Sequence, residues 1–325
     1  MKYRRLGTTD LECSVIGLGT WGMGGVGWAR SGKANDEVSI SVIRKAIDLG
    51  INLIDTAQPY GMGHSEELIG EAIKGRREKV ILADKVVSFR KDDFSNTIRD
   101  WRPEFIRFQL EGSLKRLDVD TIDLYQVHWP DPTHPLKDAF EELNRIREEG
   151  LVRYIGVSNF TTELIEQAKE YCPIVSIQPP YCLLNRKAEA EILPYCEKET
   201  LGVLTYGSLG GGVLTGKYTE RPIFDPAQGR DIRSGFYPYY SEENWEKTTR
   251  LVDCMHKIAE EKGCPVTHIA IAWVLSKPYI TTALVGARTI EQLEMNAAAS
   301  EVSLTEEELA ALTVVSDEII EEEKK

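Results

Sequence analysis

No run of about 18 apolar residues occurs in this 325-residue chain, so none of its helices is expected to cross a bilayer. Positive charge is in short supply: 39 Lys and Arg against 52 Asp and Glu leave a net charge of −13 at pH 7. A surface of that sign repels phosphate except at a local basic patch, which argues against nucleic acid as a partner. Histidine is scarce as well, with five residues scattered along the chain. Six cysteines (Cys13, Cys172, Cys182, Cys196, Cys254, Cys264) include no C-x-x-C pair. These spacings argue against a zinc site, and no metal is expected. The thiols read as reduced core fillers of an intracellular protein. The opening "MKYRRLGTTDLECSVIGLG" has the cations of a secretion signal but no long apolar stretch after them. The cytosol is the expected compartment.

What is present is 42% hydrophobic residues, enough to bury a sizeable core. Strand-like and helix-like segments alternate from end to end, with no composition break that would mark a linker. "VIGLG" (15–19) precedes a helical run from Asp36 to Leu49, stopped by Gly50. "NLIDT" leads to a helix from His64 to Lys74, and "KVILADKV" to one starting near Pro103, a residue suited to a first turn. "TIDLYQVHW", "VRYIGVSNF", "IVSIQPP" and "GVLTYGSL" follow, each with a helix after it. Thr161 or Thr162 is an N-cap, and residues 188–200 form one helix. Two helices, Glu242–Lys262 and Pro265–Ser276, precede the strand "TTALVGA"; a helix from Ile290 and a last one opened by the capping box of Thr305 and Glu308 come after it.

These strands are short, rich in Val and Ile, and apolar on both faces, as buried parallel strands should be. Eight βα units in roughly 300 residues predict a (β/α)8 TIM barrel, taken as a single domain spanning 1–325, with extra C-terminal helices. The competing fold is a doubly wound sheet. "KYRRLGTTDLECS" reads as an N-terminal β-hairpin closing the bottom of the barrel.

Two glycine motifs near the front lack the right context. "GLGTWG" (17–22) fits G-x-G-x-x-G, with Asp36 at about the right distance, but no helix begins at its third glycine. "GWARSGKA" (27–34) is nearly a P-loop, yet Ala34 replaces the hydroxyl that would hold magnesium. Both are more simply one long βα loop carrying Trp21 and Trp28 as a ligand wall.

In a barrel, residues at the C-terminal strand ends share one mouth. Those positions hold Asp55, Lys85, His128, Ser158 with Asn159, Gln178 and Tyr206, and Tyr60 lies on the loop after Asp55. Singly, Asp55 could be a helix cap, Lys85 a solvated strand end, His128 a core histidine and Tyr60 a packing residue. Together they suggest acid catalysis. A tyrosine of ordinary pKa, about 10, is a poor acid at neutral pH. An adjacent ammonium is expected to lower that value, and a carboxylate to keep the ammonium charged. Asp55, Lys85 and Tyr60 could form such a relay while His128 holds a substrate oxygen.

The segments "GINLIDTAQPYGMGHSEELIGEAI", "KVILADKV", "DLYQVHWPD", "IGVSNF", "QPPYCLLNR", "YGSLGGGVLTGKY" and "ALVGARTIEQLEMN" resemble the signatures of the aldo-keto reductase family over nearly the whole chain. Within it, the chain resembles the bacterial branch near the inositol dehydrogenase-like and general stress reductases and the potassium-channel β subunits. The resemblance implies an NADPH-dependent oxidoreductase that reduces aldehydes or ketones, with the tetrad Asp55, Tyr60, Lys85 and His128 and with Tyr60 as general acid. It implies that Ser158, Asn159 and Gln178 bind the nicotinamide carboxamide and that Tyr206 stacks on its ring. It gives the pyrophosphate to the backbone of Ser208, Leu209, Gly210 and Gly211 and to Lys217. Arg288, helped by Gln292 and Asn296, would take the 2′-phosphate of NADP(H). Thr20, Trp21, Asp55, Gly207 and Gly286 complete the implied cofactor contacts, with Arg230 or Arg233 reaching in from the loop 219–240. Two positions depart from the family pattern: Asp84 stands where Thr is common, and Met295 where many relatives place an acid against adenine. Strand alternation should turn Asp84 away from the mouth, with little effect. Two other readings remain at this point: a lyase using Lys85 as a Schiff base, and an NADPH-holding redox sensor with little turnover. The aromatic wall, which includes Trp129, suits sugars or small aldehydes, and the expected partner is a small-molecule carbonyl or alcohol substrate.

Overall fold

The computed structural model describes residues 1–24, 33–90, 97–223 and 236–322. The chain opens with an antiparallel hairpin, β1 (Tyr3–Arg5) and β2 (Glu12–Ser14). Next come β3 (Ile16–Gly19), β4 (Leu53–Asp55) and β5 (Ile81–Val86). A second hairpin, β6 (Ser88–Arg90) and β7 (Thr97–Arg99), precedes β8 (Ile122–Val127) and β9 (Val152–Ser158). The last strands are β10 (Ile174–Gln178), β11 (Gly202–Thr205) and β12 (Thr282–Val285). Eight of them pair in parallel in the closed order β10-β11-β12-β3-β4-β5-β8-β9. The connecting helices are α1 (Lys33–Asp48), α2 (His64–Ile73), α3 (Pro103–Leu117), α4 (Leu136–Glu148), α5 (Thr162–Lys169) and α6 (Ile192–Glu199). They are followed by α7 (Glu242–Lys262), α8 (Val266–Leu275), α9 (Ile290–Ala298) and α10 (Glu306–Glu322). This is the (β/α)8 barrel that the alternation of segments predicts.

Side-chain alternation along the strands layers the barrel interior. Leu53, Ala83, Leu124, Leu204 and Leu284 form an apolar layer, joined by Leu6, Leu11 and Cys13 of the first hairpin. That hairpin plugs the N-terminal end. A Cβ at Gly7, whose φ is +53°, would come within 2.8 Å of the backbone of Val175, Thr200 and Gly202, so only glycine fits there. Two residues further along the same strands, the inward positions become Asp55, Lys85, Gln126, Tyr206 and Gly286. One row thus seals the barrel, and the next lays polar groups across its C-terminal mouth.

The helix caps are local and legible. Thr161 Oγ1 accepts from the Leu164 amide at the start of α5, and Thr305 and Glu308 exchange the two bonds of the capping box. Two segments differ from expectation. Residues 188–200 are a single turn, Lys187–Glu189, followed by the shorter α6. The β6–β7 hairpin is not foreshadowed by the pattern, because three-residue strands are too short to show alternation.

Candidate active site

A cleft of about 730 Å³ opens over the C-terminal strand ends. Its floor is a buried hydrogen-bond chain. Lys85, 1% exposed, directs its ammonium to Asp55 Oδ1 (2.5 Å), the Thr56 carbonyl (3.0 Å) and Tyr60 Oη (3.2 Å). All three of its protons are therefore placed. Asp55 Oδ2 accepts from Gln178 Nε2 (2.8 Å) and Gln126 Nε2 (3.3 Å), so the carboxylate is held on both sides.

Tyr60 is aimed by a tight turn. Gly61, Met62 and Gly63 all have positive φ (69°, 59° and 96°) between β4 and α2. A Cβ on Gly61 would lie 2.2 Å from the Gly24 carbonyl oxygen, so the two loops touch backbone to backbone. Beneath them Ser65 Oγ donates to Thr20 Oγ1 (2.7 Å), and Thr20 Oγ1 donates to the Asp55 carbonyl (2.9 Å). The Tyr60 ring faces Trp21 (centroids 6.4 Å apart) and His128 (6.1 Å) across the cleft.

The electrostatics correct one expectation. Burial raises the Tyr60 pKa; Lys85 lowers it, Asp55 raises it again, and the net direction is upward. Removing the phenol from water disfavours phenolate more than the ammonium favours it. Burial works against the charge on Lys85 too, but Asp55 and Tyr60 outweigh it and leave the pKa raised. His128 moves the other way, well below the ordinary value, through burial and the nearby charges of Lys85 and Arg99. Its imidazole is neutral at physiological pH. The site at rest thus holds a protonated phenol, an ammonium and a neutral imidazole.

The opposite rim lies over β11 and β12. Ser158 Oγ donates to the Gln178 carbonyl (2.8 Å). Asn159, at φ +60°, donates to the His128 carbonyl (2.9 Å) and accepts from Tyr206 Oη (2.9 Å), which fixes both side chains. Gly207, Gly210, Gly211 and Gly212 all have positive φ, and the Lys217 ammonium stands 3.7 Å from where a Cβ on Gly212 would be. Gln292 Oε1, in the first turn of α9, accepts from the Arg288 amide (2.9 Å), and Asn296 Nδ2, in its last turn, donates to the Gly286 carbonyl (3.2 Å). Met295 lines the cleft, and its carbonyl accepts from His268 Nε2 (2.8 Å). Of the residues expected to bind cofactor, Trp21, Asp55, Ser158, Asn159, Gln178, Tyr206, Gly207, Ser208, Leu209, Gly211, Lys217, Gly286, Arg288, Gln292 and Asn296 line the cleft. Thr20 and Gly210 are buried beneath it. Arg230, Arg233 and Trp28 lie outside the described residues.

The model of the aldo/keto reductase family matches residues 15–317. The chain belongs to that family. It is 42% identical over 297 residues to the aldo-keto reductase YhdN of Bacillus subtilis (strain 168), covering 90% of this chain and 87% of that protein. It is 34% identical over 318 residues to the NADH-specific methylglyoxal reductase of Escherichia coli (strain K12), covering 94% and 95%. The structure of the glycerol dehydrogenase AKR11B4 from Gluconobacter oxydans superposes with a TM-score of 0.89 at 38% identity, covering 98% of this chain and 96% of that one. Membership makes the protein an oxidoreductase of carbonyl chemistry that works with a nicotinamide cofactor.

Within this aldo-keto reductase, Asp84 turns away from the mouth as alternation requires, but into a fully buried space rather than solvent. Neither of its oxygens has a hydrogen-bond partner, whereas nearby Glu66 is clamped by Arg116 at 2.8 and 3.2 Å. Burial and the charge of Glu66 raise the Asp84 pKa well above the usual carboxylate range, so the acid is neutral in the fold. An acid whose folded pKa is raised costs no stability below its unfolded value near 4, and costs more as pH rises above it. Asp84→Asn should therefore gain stability over the parent between about pH 4 and pH 8. Urea unfolding at both ends of that range measures it; a pH-independent difference would refute the buried neutral acid.

Sequence reasoning missed Gln126, Ser88, Arg99, Phe236, Tyr237 and Thr267. Gln126 had a usable signal, since it shares a register row with Lys85 on the neighbouring strand. Ser88 and Arg99 depend on the unforeseen hairpin.

Proposed function

We propose that the protein is an NADPH-dependent reductase of aldehydes and ketones in which Tyr60 is the general acid. One hydrogen bond carries the reading. An ammonium can only donate, so Lys85 gives a proton to Tyr60 Oη and leaves the phenol's own proton free for the cleft. A carbonyl oxygen there would meet Tyr60 and the neutral His128 side by side. A nicotinamide bound along the opposite rim would supply the hydride. As charge develops on the substrate oxygen, Tyr60 releases its proton, and Lys85, kept charged by Asp55, stabilises the phenolate.

The opposite rim suits the cofactor. The turn of positive-φ glycines brings Gly212, which has nothing packed closer than 3.7 Å to where a Cβ would be, beside Lys217 as a cradle for a diphosphate, and the N-terminus of α9 with Arg288 suits a further phosphate. A Schiff base at Lys85 is disfavoured, because a charged amine with three acceptors is a poor nucleophile.

The test is consumption of NADPH or NADH with a panel of carbonyl compounds. Tight cofactor binding with no turnover of any of them would favour the redox-sensor reading instead. Cofactor choice needs its own arm, since one relative is named as NADH-specific. A charge-assisted bond to phosphate is worth roughly 1.5–3 kcal/mol, or about ten- to a hundred-fold in affinity. Arg288→Ala should weaken NADPH by that factor and leave NADH nearly unchanged in fluorescence titrations at fixed salt. Equal losses would mean that Arg288 does not read the 2′-phosphate.

A further inference from the structure

The two halves of the mouth differ in chemistry. In the closed strand order, β11 and β12 stand opposite β5 and β8. The glycine turn, Lys217 and Arg288 follow the first pair, which leaves the half over β5 and β8 to the substrate. The β6–β7 hairpin rises on that half. The chain enters it through Val87, a β-branched residue at φ +83°, a conformation such side chains avoid unless their surroundings enforce it.

In this hairpin Ser88 pairs directly with Arg99, so the two side chains leave one face as neighbours. Both line the cleft. Ser88 is 2% exposed, and its Oγ has no hydrogen-bond partner. The Arg99 guanidinium lies over the Trp129 ring, 4.8 Å from its centroid. A cation held over a ring keeps its N–H groups available as donors, and none of those of Arg99 is hydrogen-bonded among the described residues. Arg102, Arg107 and Arg116 nearby in sequence are all ion-paired. Arg99 has no carboxylate partner among the described residues, in a chain of net charge −13. A cation without a counterion among the described residues, at a cleft mouth and beside a buried unpaired hydroxyl, suits an arriving anion.

We infer that Ser88 and Arg99 form a subsite for a carboxylate on the carbonyl substrate. This rests on the reductase reading above. The planar fork of arginine matches a carboxylate bidentately, and the serine hydroxyl adds a third donor. Arg99 and His128 line the same cleft, with Trp129, on which Arg99 rests, next to His128 in the chain, so the spacer between the carbonyl and the carboxylate is short. The substrate class is a short oxo acid.

The experiment compares 4-oxobutanoate with uncharged butanal on the full-length protein. Turnover of butanal reports on the reductase reading by itself. The ratio of the two kcat/KM values reports on the subsite. The wild type should favour 4-oxobutanoate by about tenfold or more, and Arg99→Gln should lower that ratio by about ten- to a hundred-fold, mainly through KM. Ser88→Ala should lower it less. Calorimetric binding of the same pair to the wild type and to Arg99→Gln reads the subsite even without turnover. A ratio near one in the wild type, or one unchanged in Arg99→Gln, overturns the proposal. So does stronger discrimination between glyceraldehyde 3-phosphate and glyceraldehyde, which would make the anion a phosphate.

Discussion

Tyr60→Phe should lose at least the ~10²-fold in kcat that general acids typically contribute, while cofactor affinity stays within error of the wild type. The ring keeps its packing against Trp21 and His128, and only the oxygen bonded to Lys85 disappears. Phenylalanine therefore tests the proton and little else. The upward shift of the Tyr60 pKa has a kinetic consequence. Reduction needs the protonated phenol, so its rate should not fall on this group's account until pH exceeds about 10. Steady-state rates for the wild type and variant, with cofactor titrations beside them, measure both points. Near-normal turnover by Tyr60→Phe would remove the phenol from the mechanism.

Lys85→Met should be costly to the fold as well as to activity. It leaves Asp55, 3% exposed, with two amides and no cation. Breaking a buried pair from one side typically costs about 3–5 kcal/mol, because a charge remains without compensation. Replacing both partners by neutral groups of similar shape is often close to neutral. The double variant Lys85→Met with Asp55→Asn should thus recover most of the lost stability and none of the activity. Urea midpoints for the parent, the single and the double variant decide it. A double variant as unstable as Lys85→Met alone would show that packing of the lysine stem, and not the unpaired charge, sets the cost.

Much of this could be read from residue order. Short apolar strands alternating with capped helices carry their own periodicity, so the barrel and its N-terminal plug were legible. Barrel geometry then brought Asp55, Lys85 and His128, distant along the chain, to one mouth. Gln126 was within reach of the same logic, because β8 alternates in register with β5. The β6–β7 hairpin was not. Its strands are three residues long, and its entry at Val87 uses a backbone state no local propensity favours.

Sequence by itself determined which ionisable groups meet, since strand ends and the two-residue period are properties of the chain alone. Only tertiary structure decided their charge states. The Lys85 ammonium and the Tyr60 phenol are neighbours as expected, yet the phenol's pKa moves up, because desolvation depends on everything packed around it. The same holds for Asp84, neutral because α2 and α3 shut it from water beside Glu66, and for Arg99, distinctive because nothing described folds back to pair with it. Periodicity is a local quantity, whereas burial and pairing are sums over the whole fold.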